Sequence, residues 1–236
     1  MNKKKSKAIV ALLTLALLLL TIATIVACMG SDDVEKLPEP PAIEFEDVSP
    51  EDWFYRYVAA GVRFGIITAE NGESLYFEPD RYVTQGEFIT MLGRLHEYGH
   101  GAIGTPDEGG DCDERYLEWV LENEIVHSYR YWDLIPSEYI TREQKAVIVY
   151  RYIDVFDLHD NFLHVYDVIM ALFSDTSQMS HWARMPIERL RLRLMVFGRY
   201  RHYFMPHDSV AHAESLQILI RIGSAVYDSV HPLLWM

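Results

Sequence analysis

Cysteine and basic residues are scarce in this chain of 236 residues. The two cysteines, Cys28 and Cys112, are too few for a disulfide scaffold. Acidic residues outnumber basic ones by 35 to 21, which gives a formal net charge of −14 and argues against nucleic acid as a partner, because a phosphate backbone repels such a chain. The sequence also lacks a Gly-rich phosphate loop and a nucleophile elbow, so no cofactor is expected.

Three stretches of the sequence share one pattern. In each, an apolar residue and a proline are followed, five residues after the proline, by the position of a helix cap, and three residues later by Glu or Gln. The stretches are Phe77–Pro79 with Thr84 and Glu87, Leu134–Pro136 with Thr141 and Gln144, and Phe204–Pro206 with Ala211 and Glu214. Repeats of about fifty residues, each a helix, a loop and a helix, cannot bury their apolar faces alone and are expected to pack on each other.

The similarity extends to both sides of this pattern. After each box a mostly apolar stripe keeps one register, in which Phe88, Lys145 and Ser215 occupy the same position. Upstream, Phe45–Asp47 and Trp53 correspond to Phe173–Asp175 and Trp182, whereas the second copy has no equivalent Trp. Asp47 and Asp175 are expected to cap the helices that follow them, with binding of sugar hydroxyls as the alternative. The whole pattern predicts a mainly α fold.

These residues resemble the S-layer homology repeats that fasten bacterial surface proteins to the cell wall. The resemblance lies in FEDV at 45–48, DWFY at 52–55, FGII at 64–67 and ITREQ at 140–144, and it extends over about residues 45–226. It implies a pseudo-threefold helical bundle. It also implies a secondary cell-wall polysaccharide as partner, often bearing pyruvate ketals, held between neighbouring repeats.

The expected organisation has seven parts. They are a targeting or anchor segment at 1–30, an acidic Pro-rich linker at 31–44, repeats at 45–99, 107–158 and 173–226, a connecting helix at 159–172 before the third repeat, and a tail at 227–236.

The first segment places the rest of the chain outside the cytoplasmic membrane. Four lysines precede an apolar run from Ala8 to Ala27, and Ile25–Cys28 is similar to a bacterial lipobox, with Cys28 as the lipid attachment site. The alternatives are an uncleaved membrane helix, since a span requires about 20 apolar residues, and ordinary cleavage. Either of the first two tethers the protein to the outer side of the membrane, facing the wall.

Arg142 is the central candidate binding residue. It occupies the first position of a helix, where its charge opposes the helix dipole, so a reason other than helix stability is expected. A guanidinium beside free helix N–H groups fits a carboxylate or a phosphate. The resemblance therefore implies that Arg142, with Thr141 and Gln144 of its box, binds the carboxylate of a pyruvate ketal.

Other candidates follow from the remaining repeats. Trp53 or Trp182 is able to stack on a sugar face, although an early helical aromatic more commonly packs in the core. At the position of Arg142 the other copies carry Gln85, which brings no charge, and His212, which is charged only when protonated. One competent groove and two weakened ones are therefore expected.

Charge is distributed unevenly along the chain. Residues 28–172 carry ten basic and thirty acidic side chains, whereas 173–226 carry seven arginines and four acids. The basic third repeat is suited either to an anionic wall polymer or to docking against the acidic first two repeats.

The segment from His96 to His100 reads H-E-x-x-H, the spacing of a zinc peptidase helix. Gly99 and Gly101 suggest that the helix ends there, and no separate catalytic domain surrounds the motif. No metal site is therefore expected.

The favoured interpretation is a non-enzymatic envelope protein that binds wall glycan at one end and the membrane at the other. A repeat fold that has lost glycan binding and serves as an extracellular protein-interaction module is the alternative. A zinc metallopeptidase built on His96–His100 is a remote third possibility. A further envelope protein as partner is left open.

Overall fold

The computed structural model describes residues 45–67, 76–103, 114–126, 132–158, 173–200 and 202–227. These ranges contain six α-helices: α1 Tyr55–Arg63, α2 Gln85–His100, α3 Glu114–Glu122, α4 Arg142–Val155, α5 His181–Leu192 and α6 His212–Tyr227. A short 3₁₀ helix spans Thr176–Gln178, and the only β pairing in these ranges is four isolated bridges. The predicted mainly α fold is confirmed for this part of the chain.

Several predicted features lie outside the described residues: Cys28, Cys112, the segments 1–30 and 31–44, and the connecting helix at 159–172. Within the described ranges, no helix has the length and apolar character needed to span a membrane.

Two of the helix starts form the capping boxes that the sequence predicts. The Thr84 hydroxyl accepts a bond from the Glu87 N–H (3.2 Å), and the Glu87 carboxylate accepts one from the Thr84 N–H (2.7 Å). Thr141 and Gln144 repeat this exchange at 3.3 and 2.9 Å. The third copy has Ala211, which offers no side-chain oxygen, so its Glu214 is released from the box for another use.

The segments that lead into α2, α4 and α6, here called the box segments, are joined by a closed cycle of backbone hydrogen bonds. Val83 N–H donates to Val210 O (3.1 Å), Val210 N–H to Ile140 O (3.2 Å), and Ile140 N–H to Val83 O (3.0 Å). The cycle places the starts of α2, α4 and α6 side by side.

The same relationship holds one step further along each segment. In each copy, the first N–H of the second helix donates to a carbonyl of another copy. The bonds are Gln85 to Glu138 O (2.8 Å), Arg142 to Asp208 O (3.0 Å) and His212 to Arg81 O (2.8 Å). Helix N-termini leave N–H groups without an intrahelical acceptor, and buried ones must find a partner. The neighbouring loops provide it, so the helix starts are satisfied only when the copies are together.

Helix packing follows the same exchange. Helix α1 packs on α6, α3 packs on α2, and α5 packs on α4, so each first helix lies against the second helix of a different copy. Glycines permit the close approach at two of these contacts: a Cβ at Gly61 would lie 2.8 Å from Leu216, and one at Gly93 would overlap the Tyr116 ring. The buried apolar residues form one continuous core. The pseudo-threefold arrangement of complete repeats stays a prediction, which these cyclic contacts support.

The expected capping role of Asp47 and Asp175 is wrong. The Asp47 carboxylate accepts bonds from the N–H groups of Phe77 and Glu78 (both 2.7 Å), and Asp175 accepts from Phe204 (2.9 Å) and Met205 (2.7 Å). Consecutive N–H groups that converge on one point form an anion-binding nest. Each aspartate therefore ties the start of its repeat to the loop that precedes the repeat's second helix.

We predict that Asp175→Asn lowers the free energy of unfolding by about 1–3 kcal/mol, because one buried N–H loses a charged acceptor. Chemical denaturation measures the change. Asp80→Asn, at an exposed carboxylate, is the control and should leave the denaturation midpoint almost unchanged. Equal stability of Asp175→Asn and wild type would show that the charge of Asp175 contributes nothing to the free energy of unfolding.

Candidate functional site

The Arg142 side chain is held between copies. It is 7% exposed. Its Nε donates to the backbone oxygen of Phe204 (2.7 Å), one terminal nitrogen to that of Phe197 (2.9 Å), and the other to a carboxylate oxygen of Glu214 (3.2 Å). The planar guanidinium thus uses its fork of donors to fix three points of the third copy.

A cleft of about 190 Å³ lies beside this guanidinium. Its lining includes residues from all three predicted repeats: Trp53, Arg142, Lys145, Met195–Arg199, Phe204, Glu214, Gln217, Ile218 and Arg221. Two of the lining aromatic side chains are well exposed, Trp53 at 55% and Phe197 at 49%. The cleft therefore combines accessible aromatic surface with a cationic wall.

Glu214 is the one carboxylate in the described lining of the cleft. One terminal nitrogen of Arg199 donates to both carboxylate oxygens of Glu214 (2.8 Å each), and the other donates to the Asp208 carboxylate (3.0 Å). Burial alone raises the pKa of Glu214, but Lys145, Arg199 and Arg142 outweigh that effect, so the pKa lies below its ordinary value. Glu214 is therefore ionised at neutral pH, and its charge is already shared between two arginines.

Lys145 lies deeper in the same wall. Its Nζ is 3.4 Å from the backbone oxygen of Glu214. Burial, and after it the charge of Arg142, lowers the pKa of Lys145 to about 7. Near neutral pH this amine is therefore divided between its charged and neutral forms.

Comparison with known protein families identifies the first part of this assembly. Residues 44–89 match the family model of the S-layer homology domain. Over this stretch the chain is similar to an S-layer homology domain. The matched stretch includes Asp47, Trp53, α1, the Pro79 loop and the first turn of α2. No curated protein matches the chain.

This finding confirms the resemblance for residues 44–89, whereas the number of repeats stays a prediction. S-layer homology domains are non-catalytic modules that bind cell-wall polymers, so the match indicates association with the cell envelope. It covers the first predicted repeat, whereas Arg142 and most of the cleft lie in the later ones.

Two of the predicted binding residues, Arg142 and Trp53, line the cleft together. The predicted help from free N–H groups at the start of α4 is wrong. The N–H of Arg142 donates to Asp208 O, and that of Glu143 donates to Pro206 O (both 3.0 Å). The segment before α6 occupies the position that a bound anion would need, so any ligand must meet side chains rather than the helix terminus.

Thr141 and Gln144 are engaged with each other in the capping box of α4. They flank Arg142 in sequence but are absent from the described lining of the cleft.

The other three predicted residues lie elsewhere. The Gln85 oxygen is buried and accepts from Trp132 Nε1 and the Ile135 N–H (both 3.3 Å). His212 stacks on Phe77 at 4.3 Å, and its Nδ1 lies 2.8 Å from the Phe77 oxygen. Burial lowers the pKa of His212, so it is charged over a narrower range than an exposed histidine. Trp182 is half-buried against Trp132, with ring centroids 5.1 Å apart.

Apart from Trp53 and Arg142, the lining residues of the cleft were not among the predicted binding residues. Those that matter most for its chemistry are Lys145, Phe197, Arg199, Glu214 and Arg221. A signal existed for one of them. Lys145 occupies a position of the apolar stripe where the first copy has Phe88, and it is the only lysine after residue 36. Phe197 and Arg199 belong to a loop without periodicity, so nothing in the sequence distinguished them from solvated residues.

The H-E-x-x-H segment remains helical to its end at His100. The His96 and His100 rings stack at 4.2 Å, and burial lowers the pKa of His96 to about 4. Glu97 accepts bonds from Arg115 (3.0 Å) and the Tyr116 hydroxyl (2.6 Å), which fixes α3 on α2. The described residues contain no group of three or more potential ligands suited to a metal ion.

We predict that Lys145→Met raises the free energy of unfolding near neutral pH by on the order of 1–4 kcal/mol, because a desolvated charge is replaced by an apolar chain of similar length. The wild-type pKa of Lys145 is about 7 in the folded state. The unfolded chain, with a pKa of about 10.4, binds more protons between these values, so wild-type stability gains from rising pH there.

Chemical denaturation at about pH 6 and about pH 9 tests this prediction. The gain in stability with pH should be smaller in Lys145→Met than in wild type. Arg151→Met, which removes another cation of α4, is the control and should keep the wild-type dependence. An identical pH dependence in all three proteins would contradict the assignment.

Proposed function

We propose that the protein is a non-enzymatic anchor that binds an anionic cell-wall polysaccharide in the cleft beside Arg142. The observation that carries this proposal is the pairing of exposed aromatic side chains with partly compensated cations in one cleft. Aromatic faces pack against the apolar side of a sugar ring, and guanidinium and ammonium groups donate hydrogen bonds to its acidic substituent.

The charges of the cleft support an anionic ligand. Arg142 and Arg199 share the carboxylate of Glu214. Lys145 and Arg221, by contrast, donate to backbone oxygens, Glu214 O at 3.4 Å and Met195 O at 3.5 Å. A backbone oxygen satisfies a hydrogen bond without neutralising a charge. The cleft therefore retains positive charge, which a carboxylate such as that of a pyruvate ketal neutralises.

The proposed orientation of the protein depends on its first residues. A lipid on Cys28, or the apolar run before it, holds the N-terminus at the outer side of the cytoplasmic membrane, and residues 31–44 separate the repeats from it. The protein connects the membrane and the wall without a catalytic step.

A single strong site is proposed. Of the counterparts of Arg142, Gln85 is buried and uncharged, and His212 is half-buried with a lowered pKa, so neither brings an accessible charge at neutral pH. One competent cleft implies weaker binding than three would give, because multivalent engagement raises the effective concentration of the remaining sites.

Sedimentation with purified cell-wall sacculi that retain their polysaccharide tests the proposal, with the full-length chain in detergent. We predict that Trp53→Ala and Phe197→Ala each weaken binding about tenfold, a cost of about 1.4 kcal/mol. Tyr139→Ala, which truncates an aromatic of similar exposure (58%) outside the lining of the cleft, is the control and should bind like wild type.

Arg142→Ala is a poorer test, because truncating one partner of a buried ion pair costs about 3–5 kcal/mol of stability and confuses binding with folding. Sedimentation of wild type that neither aromatic substitution reduces would place binding outside the cleft. Failure of wild type to sediment at all would favour the alternative, a repeat fold that recognises another envelope protein.

A further inference from the structure

Lys145 occupies a position where a charge is costly. The equivalent residues of the other copies, Phe88 and Ser215, are fully buried in the core. Lysine is also the less suited cation for a buried ion pair, since arginine is more weakly hydrated and always charged. The chain nevertheless has arginine at every other basic position after residue 36. The exchangeable proton is what distinguishes this one lysine from the arginines around it.

The surroundings of the amine oppose its charged form. Arg142 of its own helix, Arg199 of the loop that precedes α6 and Arg221 of α6 all disfavour a fourth cation, whereas Glu214 favours it. Glu214 is itself bound by Arg142 and Arg199, which weakens its support for the amine. The pKa of about 7 follows from this balance, with burial as the largest contribution.

We infer that Lys145 contacts the anionic group of the ligand directly and takes up a proton as that group enters the cleft. This inference rests on the proposed function and names the residue that adjusts the site to its ligand. An entering anion adds a negative charge among three guanidinium groups and one amine, so it stabilises the ammonium form. Without the ligand, a permanent charge at this position would strain the interface between α4 and α6.

The sign of the pH effect follows by linkage. The ligand raises the pKa of Lys145 above that of the free protein, so the complex binds a proton that the free protein lacks between the two values. Affinity is therefore highest below about pH 7 and falls as pH rises through that value. The protein would hold the wall more firmly in mildly acidic surroundings.

The test uses the full-length chain and the same sacculi at about pH 6 and about pH 8.5, where we expect wild-type binding to weaken about tenfold on the alkaline side. Lys145→Arg keeps its charge at both values and should bind with little pH dependence. Lys145→Met has no charge at either value and should bind weakly at both. Any titration of the wall polymer itself would appear in all three proteins and is thereby separated from that of Lys145.

A second measurement follows the proton directly. Nitrogen-15 labelling of lysine side chains, with Lys145→Met to assign the signal, reports the pKa of Lys145 with and without solubilised wall polysaccharide. A rise on binding is expected. Wild type that binds the wall equally at both pH values, with an unchanged Lys145 signal, would overturn the inference while leaving the anchor function intact. Wild type that binds at neither pH would instead refute the function.

Discussion

The exchange of backbone hydrogen bonds between the three box segments is the constraint on which the rest of the structure depends. A helix that begins inside a protein must find acceptors for its first N–H groups. Here each second helix finds one in the loop of another copy, as Arg142 does at Asp208 and His212 does at Arg81. No copy alone can therefore provide acceptors for the first N–H groups of its second helix. The formation of these helix starts thus depends on the packing of the copies against each other.

The cleft is a consequence of this exchange. Because the segment before α6 lies over the start of α4, the guanidinium of Arg142 is directed into the third copy, where it binds Phe197 O, Phe204 O and Glu214. The same contact brings Lys145 beside Glu214. The arginine that stabilises the interface between the second and third copies therefore also lines the cleft. The same charges contribute to stability and to the proposed binding.

The arginines of the basic third repeat differ in their surroundings. Arg199 is used internally, since it binds Asp208 and Glu214 of its own copy. Arg184 and Arg189 lie exposed on the outer side of α5. Arg199 therefore supports neither of the two interpretations of this charge, and docking against the first two repeats and contact with an external polymer both stay predictions.

The sequence by itself determined the local structure and the resemblance to the S-layer homology domain. Spacing around Thr84 and Thr141 located two capping boxes, and FEDV with DWFY pointed to the S-layer homology domain that residues 44–89 match. These signals are local, because caps and helical periodicity depend on residues within one or two turns.

Only the tertiary structure decided which side chains meet. Trp53, Arg142 and Phe197 come together from positions far apart in the chain, and nothing in their own neighbourhoods specified that Trp53 would be exposed while Trp182 packed on Trp132. The ionisation of Lys145 was equally hidden, since a pKa depends on burial and on charges that other segments bring near.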